Sequence, residues 1–130
     1  MKSPVNWNRT ASVLATCAGL LLLETGCGRK SGGAATVTPE EAPATIETAF
    51  RDASAEVKQQ ATEAATAVQA QNDTAAFVQL QNLSGRPDLT PEQRNAAFAS
   101  WMAVNVRLQE SAAKGNSAAQ ELLEKYKASK

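Results

Sequence analysis

The sequence predicts an all-α fold, a small helical bundle or helical-hairpin array of about four helices. Over most of the chain after residue 44, apolar residues recur at three- and four-residue steps, and no segment alternates as a β-strand would. Helix-start and helix-stop residues divide this region into separate segments. Leu, Ile, Val and Phe make up only 16 of the 103 residues after Cys27, whereas alanine is abundant. We therefore expect helices that form easily and pack around a thin core.

Charge and residue usage exclude several classes of function. Thirteen basic and 13 acidic residues leave no net charge, so nucleic acid is not an expected partner. The chain has no histidine, and both cysteines, Cys17 and Cys27, lie near the N-terminus. The acidic residues that come nearest to a catalytic pair fall in a linker or on exposed helical faces: Glu40, Glu41, Glu121 and Glu124. We expect no enzymatic activity, no metal and no bound cofactor.

The N-terminal segment has the order of parts found in a secretory signal. Lys2 and Arg9 supply positive charge, residues 11–23 form an apolar run of 13 residues, and Thr25 and Gly26 are small residues ahead of Cys27. A helix needs roughly 20 apolar residues to cross a bilayer, so this run predicts an export signal and not a permanent span.

Residues 22–27, with the sequence LLETGC, resemble the lipobox of bacterial lipoproteins. The resemblance implies cleavage between Gly26 and Cys27, a diacylglycerol group on the Cys27 thiol and an acyl chain on the new amino terminus. Glu24 stands where the family usually has leucine. Because Gly28, and not aspartate, follows the cysteine, the resemblance implies a lipid-anchored protein that faces the periplasm, at the outer membrane. Processing at Cys17, an ordinary cleaved signal and a retained anchor remain as alternatives.

Residues 1–26 are thus predicted as a signal peptide, and residues 27–44 as the lipidated cysteine and a flexible tether rich in Gly, Ser, Thr, Pro and Ala. Residues 45–130 form the predicted alanine-rich helical domain. In its first helix, over residues 45–71, Ile46, Phe50, Val57 and Val68 mark one narrow apolar stripe. This stripe packs either along its own domain or against a second copy as a self-association seam.

Three further helices follow from local signals. Asn72 and Asp73 offer an N-cap for a helix over residues 74–83. Thr90-Pro91-Glu92-Gln93 is a capping box for a helix that runs to about residue 113, where Gly115 ends it. Ser117 to Gln120 repeats the capping logic for a last helix. Residues 72–76 (NDTAA) and 115–119 (GNSAA) have similar sequences, and each leads into a short helix. Because of this repetition, a helical-hairpin array remains an alternative to a bundle.

Two places are candidate sites of interaction. Phe98, Trp101 and Met102 form either core or a patch that binds another envelope protein, since aromatic residues are favoured at interfaces. The end of the chain, which finishes at Lys130, resembles that of the murein lipoprotein family, whose terminal lysine is joined to peptidoglycan. That resemblance implies a cell-wall link at Lys130. The sequence therefore predicts a non-catalytic envelope lipoprotein, with wall tethering or a homo-oligomer as alternatives.

Overall fold

The computed structural model describes residues 36–130. The predicted signal peptide, Cys27 and the first part of the predicted tether lie outside the described residues. Within them the chain forms five helices and no strand, which confirms the all-α fold. The helices are α1 (Ala42–Ala49), α2 (Ala55–Gln69), α3 (Asp73–Ser84), α4 (Pro91–Ala113) and α5 (Ser117–Ala128).

The longest helix, α4, is the centre of the bundle. It packs against α1, α3 and α5, while α2 packs against α1 and α3. The core consists mostly of alanine and a few large side chains. The largest fully buried apolar residues are Phe50, Phe77, Ile46, Leu80, Leu83, Leu108 and Val104. Small residues at the contacts allow helix axes to approach closely, so a thin core still excludes water.

The single long helix predicted over residues 45–71 is wrong, because the chain breaks between Phe50 and Ser54 and begins α1 already at Ala42. An unbroken helix of that length would extend about 40 Å and leave part of its apolar stripe beyond the bundle. The break lets Ile46 and Phe50 be buried completely. Lys58 Nζ donates to the Arg51 carbonyl oxygen at 3.1 Å within the break, which satisfies one of the freed acceptors.

The capping box predicted at the start of α4 is confirmed. The Gln93 amide donates to Thr90 Oγ1 at 3.2 Å, and the Thr90 amide donates to Gln93 Oε1 at 3.1 Å. The Asn72 side chain caps α3 by accepting from the Ala75 amide, as expected. The N-cap of α5 is Asn116 and not Ser117, because the Asn116 side chain accepts from the Ala119 amide. Gln120 instead donates its side-chain amide to the Ala112 carbonyl.

The two similar sequence phrases correspond to the same turn. At the end of α2, Gln71 has a φ of 55°, and at the end of α4, Gly115 has a φ of 93°. The following residue, Asn72 or Asn116, donates its amide back to the ending helix and caps the next one. A left-handed residue followed by an asparagine cap is thus used twice, and only the second copy has the glycine that this backbone favours.

Replacing Gln71 with glycine is expected to raise the free energy of unfolding by about 0.5–1 kcal/mol, because glycine removes the left-handed penalty but adds entropy to the unfolded chain. The matched variant is Gly115→Ala. A Cβ there meets no atom within 4 Å, so its cost of about 1 kcal/mol is purely conformational. Equilibrium urea unfolding of both variants checks this pair. A loss of stability in Gln71→Gly would contradict the argument.

Candidate functional site

The outer face of α4 carries the main exposed apolar surface of the described residues. Phe98, Met102 and Val106 are 49%, 44% and 55% exposed and follow one another at four-residue steps. Side chains four apart on a helix lie on the same face, so the three form a continuous band, here named the outer stripe. An exposed helical face ordinarily carries charged residues, and this one does not.

The absence of charge extends along the middle of the helix. From residue 95 to residue 106, between Arg94 and Arg107, no residue is charged. Arg107 is turned away from the stripe, because it pairs with Asp73 at the start of α3. Depletion of charge together with aromatic residues and methionine is the composition of an interaction surface. The outer stripe is therefore the best candidate for a binding site in the described part of the chain.

The outer stripe forms one wall of a groove. With Ala99 and Ala103 it faces Thr36 and Val37, which precede α1, across a cavity of about 340 Å³. Val37 also packs against the hydrophobic core, and this contact holds the segment before α1 beside α4. The groove is lined almost entirely by apolar groups, so it suits an apolar occupant better than a polar ligand.

Trp101 connects the outer stripe to the core. Its ring lies 5.7 Å from that of Phe98 on the exposed side, and 5.3 Å and 5.9 Å from those of Phe77 and Tyr126 on the inner side, all centroid to centroid. These separations are typical of favourable aromatic pairs. The side chain is half-buried, so it belongs mainly to the packing of α4 against its neighbours.

The structure separates the three residues proposed as a partner patch. Phe98 and Met102 are exposed together, whereas Trp101 turns inward. Of the two alternatives for Phe98, core or patch, the structure places it at the surface, because successive residues are about 100° apart around a helix and burial of Ala97 and Val104 leaves Phe98 at the edge of the covered face. Val106 was missed. The charge-free run with apolar residues at four-residue spacing is the signal that identifies it.

A fourth exposed apolar residue, Val78 on α3, is 41% exposed but lies in a different environment. It lines a shallow hollow between α3 and α5 together with Leu122, Glu121 and Lys125. Lys125 Nζ lies 2.7 Å from Glu121 Oε1, one turn earlier on α5, and both residues line this hollow. The ion pair places two charged groups in the lining of this hollow, so Val78 has an exposure similar to that of the outer stripe but lies beside charge.

The C-terminal lysine lies at the end of α5. The amino group of Lys130 is 5.0 Å from the centre of the Tyr126 ring, a cation–π distance, and the residue is exposed. The Lys130 amide donates weakly to the Lys127 carbonyl oxygen at 3.4 Å. The proposed link from Lys130 to the cell wall stays a prediction, with an accessible amine as its starting point.

Three exposed carboxylates have lowered pKa values, which favours their ionised forms. A hydrogen bond from the Thr38 amide lowers the pKa of Glu41, Arg86 lowers that of Asp88, and Lys125 lowers that of Glu121. A general acid working at neutral pH needs a raised pKa, so these three groups have the opposite character. Among residues 36–130, no cluster of three or more acidic, cysteine or histidine side chains could hold a metal ion.

Comparison of the chain with protein-family models, with curated proteins and with solved structures gives no match. Within residues 36–130, no helix combines the length and apolar character needed to cross a bilayer.

Proposed function

We propose that the chain is a bacterial envelope lipoprotein, anchored through lipid on Cys27, whose helical domain binds a neighbouring surface and catalyses no reaction. The observation that carries this proposal is the order of the first 27 residues. Positive charge at Lys2 and Arg9 precedes a short apolar run, which ends in two small residues and a cysteine. Diacylation and N-acylation would give a stable anchor, because a single chain binds membranes only reversibly.

The arrangement of the domain supports a binding role. The exposed face of α4 combines an aromatic residue, a methionine and a valine in a band without charge, next to an apolar groove. The carboxylates with shifted pKa values are stabilised in their ionised forms by partners on the surface. A surface of this kind favours contact with another apolar surface over chemistry on a small substrate.

Intact mass spectrometry of the membrane-extracted protein tests the anchor. We expect a chain that begins at Cys27 and carries the added mass of a diacylglycerol group and an acyl chain. Cys27→Ala is expected to retain residues 1–26 and to carry no acyl mass. Cys17→Ala is the matched control, because it changes the other cysteine of the chain and leaves the predicted lipobox intact.

Each outcome discriminates between the alternatives. Wild-type processing that survives in Cys17→Ala and fails in Cys27→Ala supports the lipoprotein. Failure in Cys17→Ala alone would assign the lipid to the earlier cysteine. An unacylated wild-type chain would reject the anchor and indicate that Glu24 prevents recognition of the lipobox.

A further inference from the structure

We propose that the outer stripe of α4 docks onto the lipid surface of the membrane in which the Cys27 lipid is anchored, so that the domain lies against the bilayer. This proposal rests on the proposed function, since it takes the lipidated cysteine as the start of the mature chain. The apolar groove then meets the glycerol and upper acyl region of a phospholipid leaflet.

The connection between anchor and groove is short. The described residues begin at Thr36, and Thr36 and Val37 themselves line the groove beside α4. Eight residues lie between Cys27 and Thr36, so the chain from one to the other spans at most about 30 Å when fully extended. The chain that leads from the anchor enters the domain at the groove beside the outer stripe. The tether therefore holds the groove within about 30 Å of the anchored cysteine.

The chemistry of the stripe suits lipid. Phe98, Met102 and Val106 expose apolar groups without a charge among residues 95–106. A charged residue inside the band would have to be desolvated on contact with acyl chains, at considerable cost. Aromatic and aliphatic side chains on one helical face bury readily at the boundary between headgroups and acyl chains.

The size of the stripe disfavours a second copy as occupant. A fully buried aromatic side chain covers about 150–250 Å², and methionine and valine are no larger, so these three half-exposed side chains offer at most about 300 Å². A stable interface between two proteins needs about 800 Å² on each partner. A lipid anchor removes this requirement, because it already holds the domain at the membrane and makes docking an intramolecular event at high effective concentration.

Fluorescence of Trp101 tests the docking. Trp101 lies against Phe98 and is the only tryptophan after Cys27, so the processed chain contains a single reporter next to the stripe. The lipidated protein is reconstituted into vesicles of phosphatidylethanolamine and phosphatidylglycerol whose acyl chains carry bromine close to the headgroups. Bromine quenches only at short range. We expect loss of Trp101 emission relative to the same vesicles without bromine.

The variants separate docking from mere attachment. Phe98→Ser/Met102→Ser is expected to abolish the quenching, and Val106→Ser to reduce it without touching the aromatic neighbours of Trp101. Val78→Ser is the matched control, since it removes an apolar side chain of similar exposure from the α3–α5 hollow, whose lining includes the Glu121–Lys125 ion pair. It should be quenched as the wild type is. Far-UV circular dichroism verifies that each variant is folded, and Val106→Ser keeps the test valid should the double variant unfold.

Mass spectrometry of the same samples distinguishes the two possible failures. Unacylated protein would reject the proposed function. Acylated wild type without quenching, or equal quenching in the wild type and the stripe variants, would overturn the docking alone. Quenching that disappears at high protein density while crosslinked dimers accumulate would assign the stripe to a second copy, and would also overturn it.

Discussion

Replacing Phe77 with alanine is expected to lower the free energy of unfolding by about 4 kcal/mol, because it removes a buried aromatic ring and leaves a cavity. Phe77 is completely buried. Its ring lies 5.3 Å from those of both Trp101 and Tyr126, which come from α4 and α5. The side chain therefore joins three helices, and no other aromatic residue of the core contacts both.

The loss is large relative to the stability available. A domain of this size has a free energy of unfolding of about 5–14 kcal/mol, and a core rich in alanine favours the lower part of that range. Urea unfolding followed by far-UV circular dichroism measures the shift, and near-UV circular dichroism reports on the environment of Trp101. Phe77→Leu keeps much of the volume and should cost less than half as much.

The adjacent residue gives a matched control for Phe77. Val78 is exposed on the same helix, so Val78→Ala should change the free energy of unfolding by less than about 0.5 kcal/mol. Equal shifts of the urea midpoint in Phe77→Ala and Val78→Ala would mean that the Phe77 ring does not hold the aromatic cluster together. This result would also remove the reason to regard Trp101 as part of the core.

Helix starts could be predicted from the sequence because the physical cause is local. Thr90 and Gln93 lie three residues apart and satisfy each other's backbone amides wherever the helix packs. The same holds for Asn72 at the start of α3. The break after Phe50 has a different cause. It lacks glycine and proline, and it follows from the need to bury Ile46 and Phe50 against α2 and α4, which is a property of the whole bundle.

The candidate site shows the same limit. Periodicity places Phe98, Trp101 and Met102 close together on one helix, but it does not determine how wide a face the neighbouring helices cover. Packing of α1, α3 and α5 around α4 covers Ala97 and Val104 and draws Trp101 inward, while Phe98 and Met102 remain outside. The absence of charged residues from 95 to 106 was the signal in the sequence that could have identified the exposed apolar face. A face that stays in water ordinarily carries charged side chains, so their absence indicates a face that contacts another surface.

Replacing Arg107 with methionine is expected to cost about 2–3 kcal/mol, less than the 3–5 kcal/mol of a fully buried pair because some solvent reaches the site. Arg107 Nε donates to Asp73 Oδ1 at 2.6 Å, and Nη2 contacts the same carboxylate and the Val68 carbonyl oxygen. Both charged side chains are only about one-fifth exposed, at 21% and 16%. Removing the arginine leaves a largely desolvated carboxylate without its counter-ion.

The position of this pair explains why its effect should be large. Asp73 is the first residue of α3, where a negative charge interacts favourably with the helix dipole, and the Val68 carbonyl belongs to the last turn of α2, where a positive charge does so. Arg107 thus connects the end of α2, the start of α3 and the middle of α4. Loss of this ion pair should therefore loosen the turn around Gln71 and weaken the packing of α2, α3 and α4 against one another.

A double-mutant cycle measures the coupling without attributing to it the whole cost of either substitution. Arg107→Met, Asp73→Asn and the double variant are compared by urea unfolding, and we expect a coupling of about 2 kcal/mol that persists at 1 M salt, since partly buried pairs are weakly screened. The matched cycle uses Arg86→Met and Asp88→Asn, a pair with the same chemistry but an exposed carboxylate. Its coupling should be much smaller and should decline with salt. Equal, salt-sensitive couplings in the two cycles would show that Arg107 and Asp73 behave as an ordinary surface ion pair. The packing of alanine-rich faces would then be the main interaction that holds α2, α3 and α4 together.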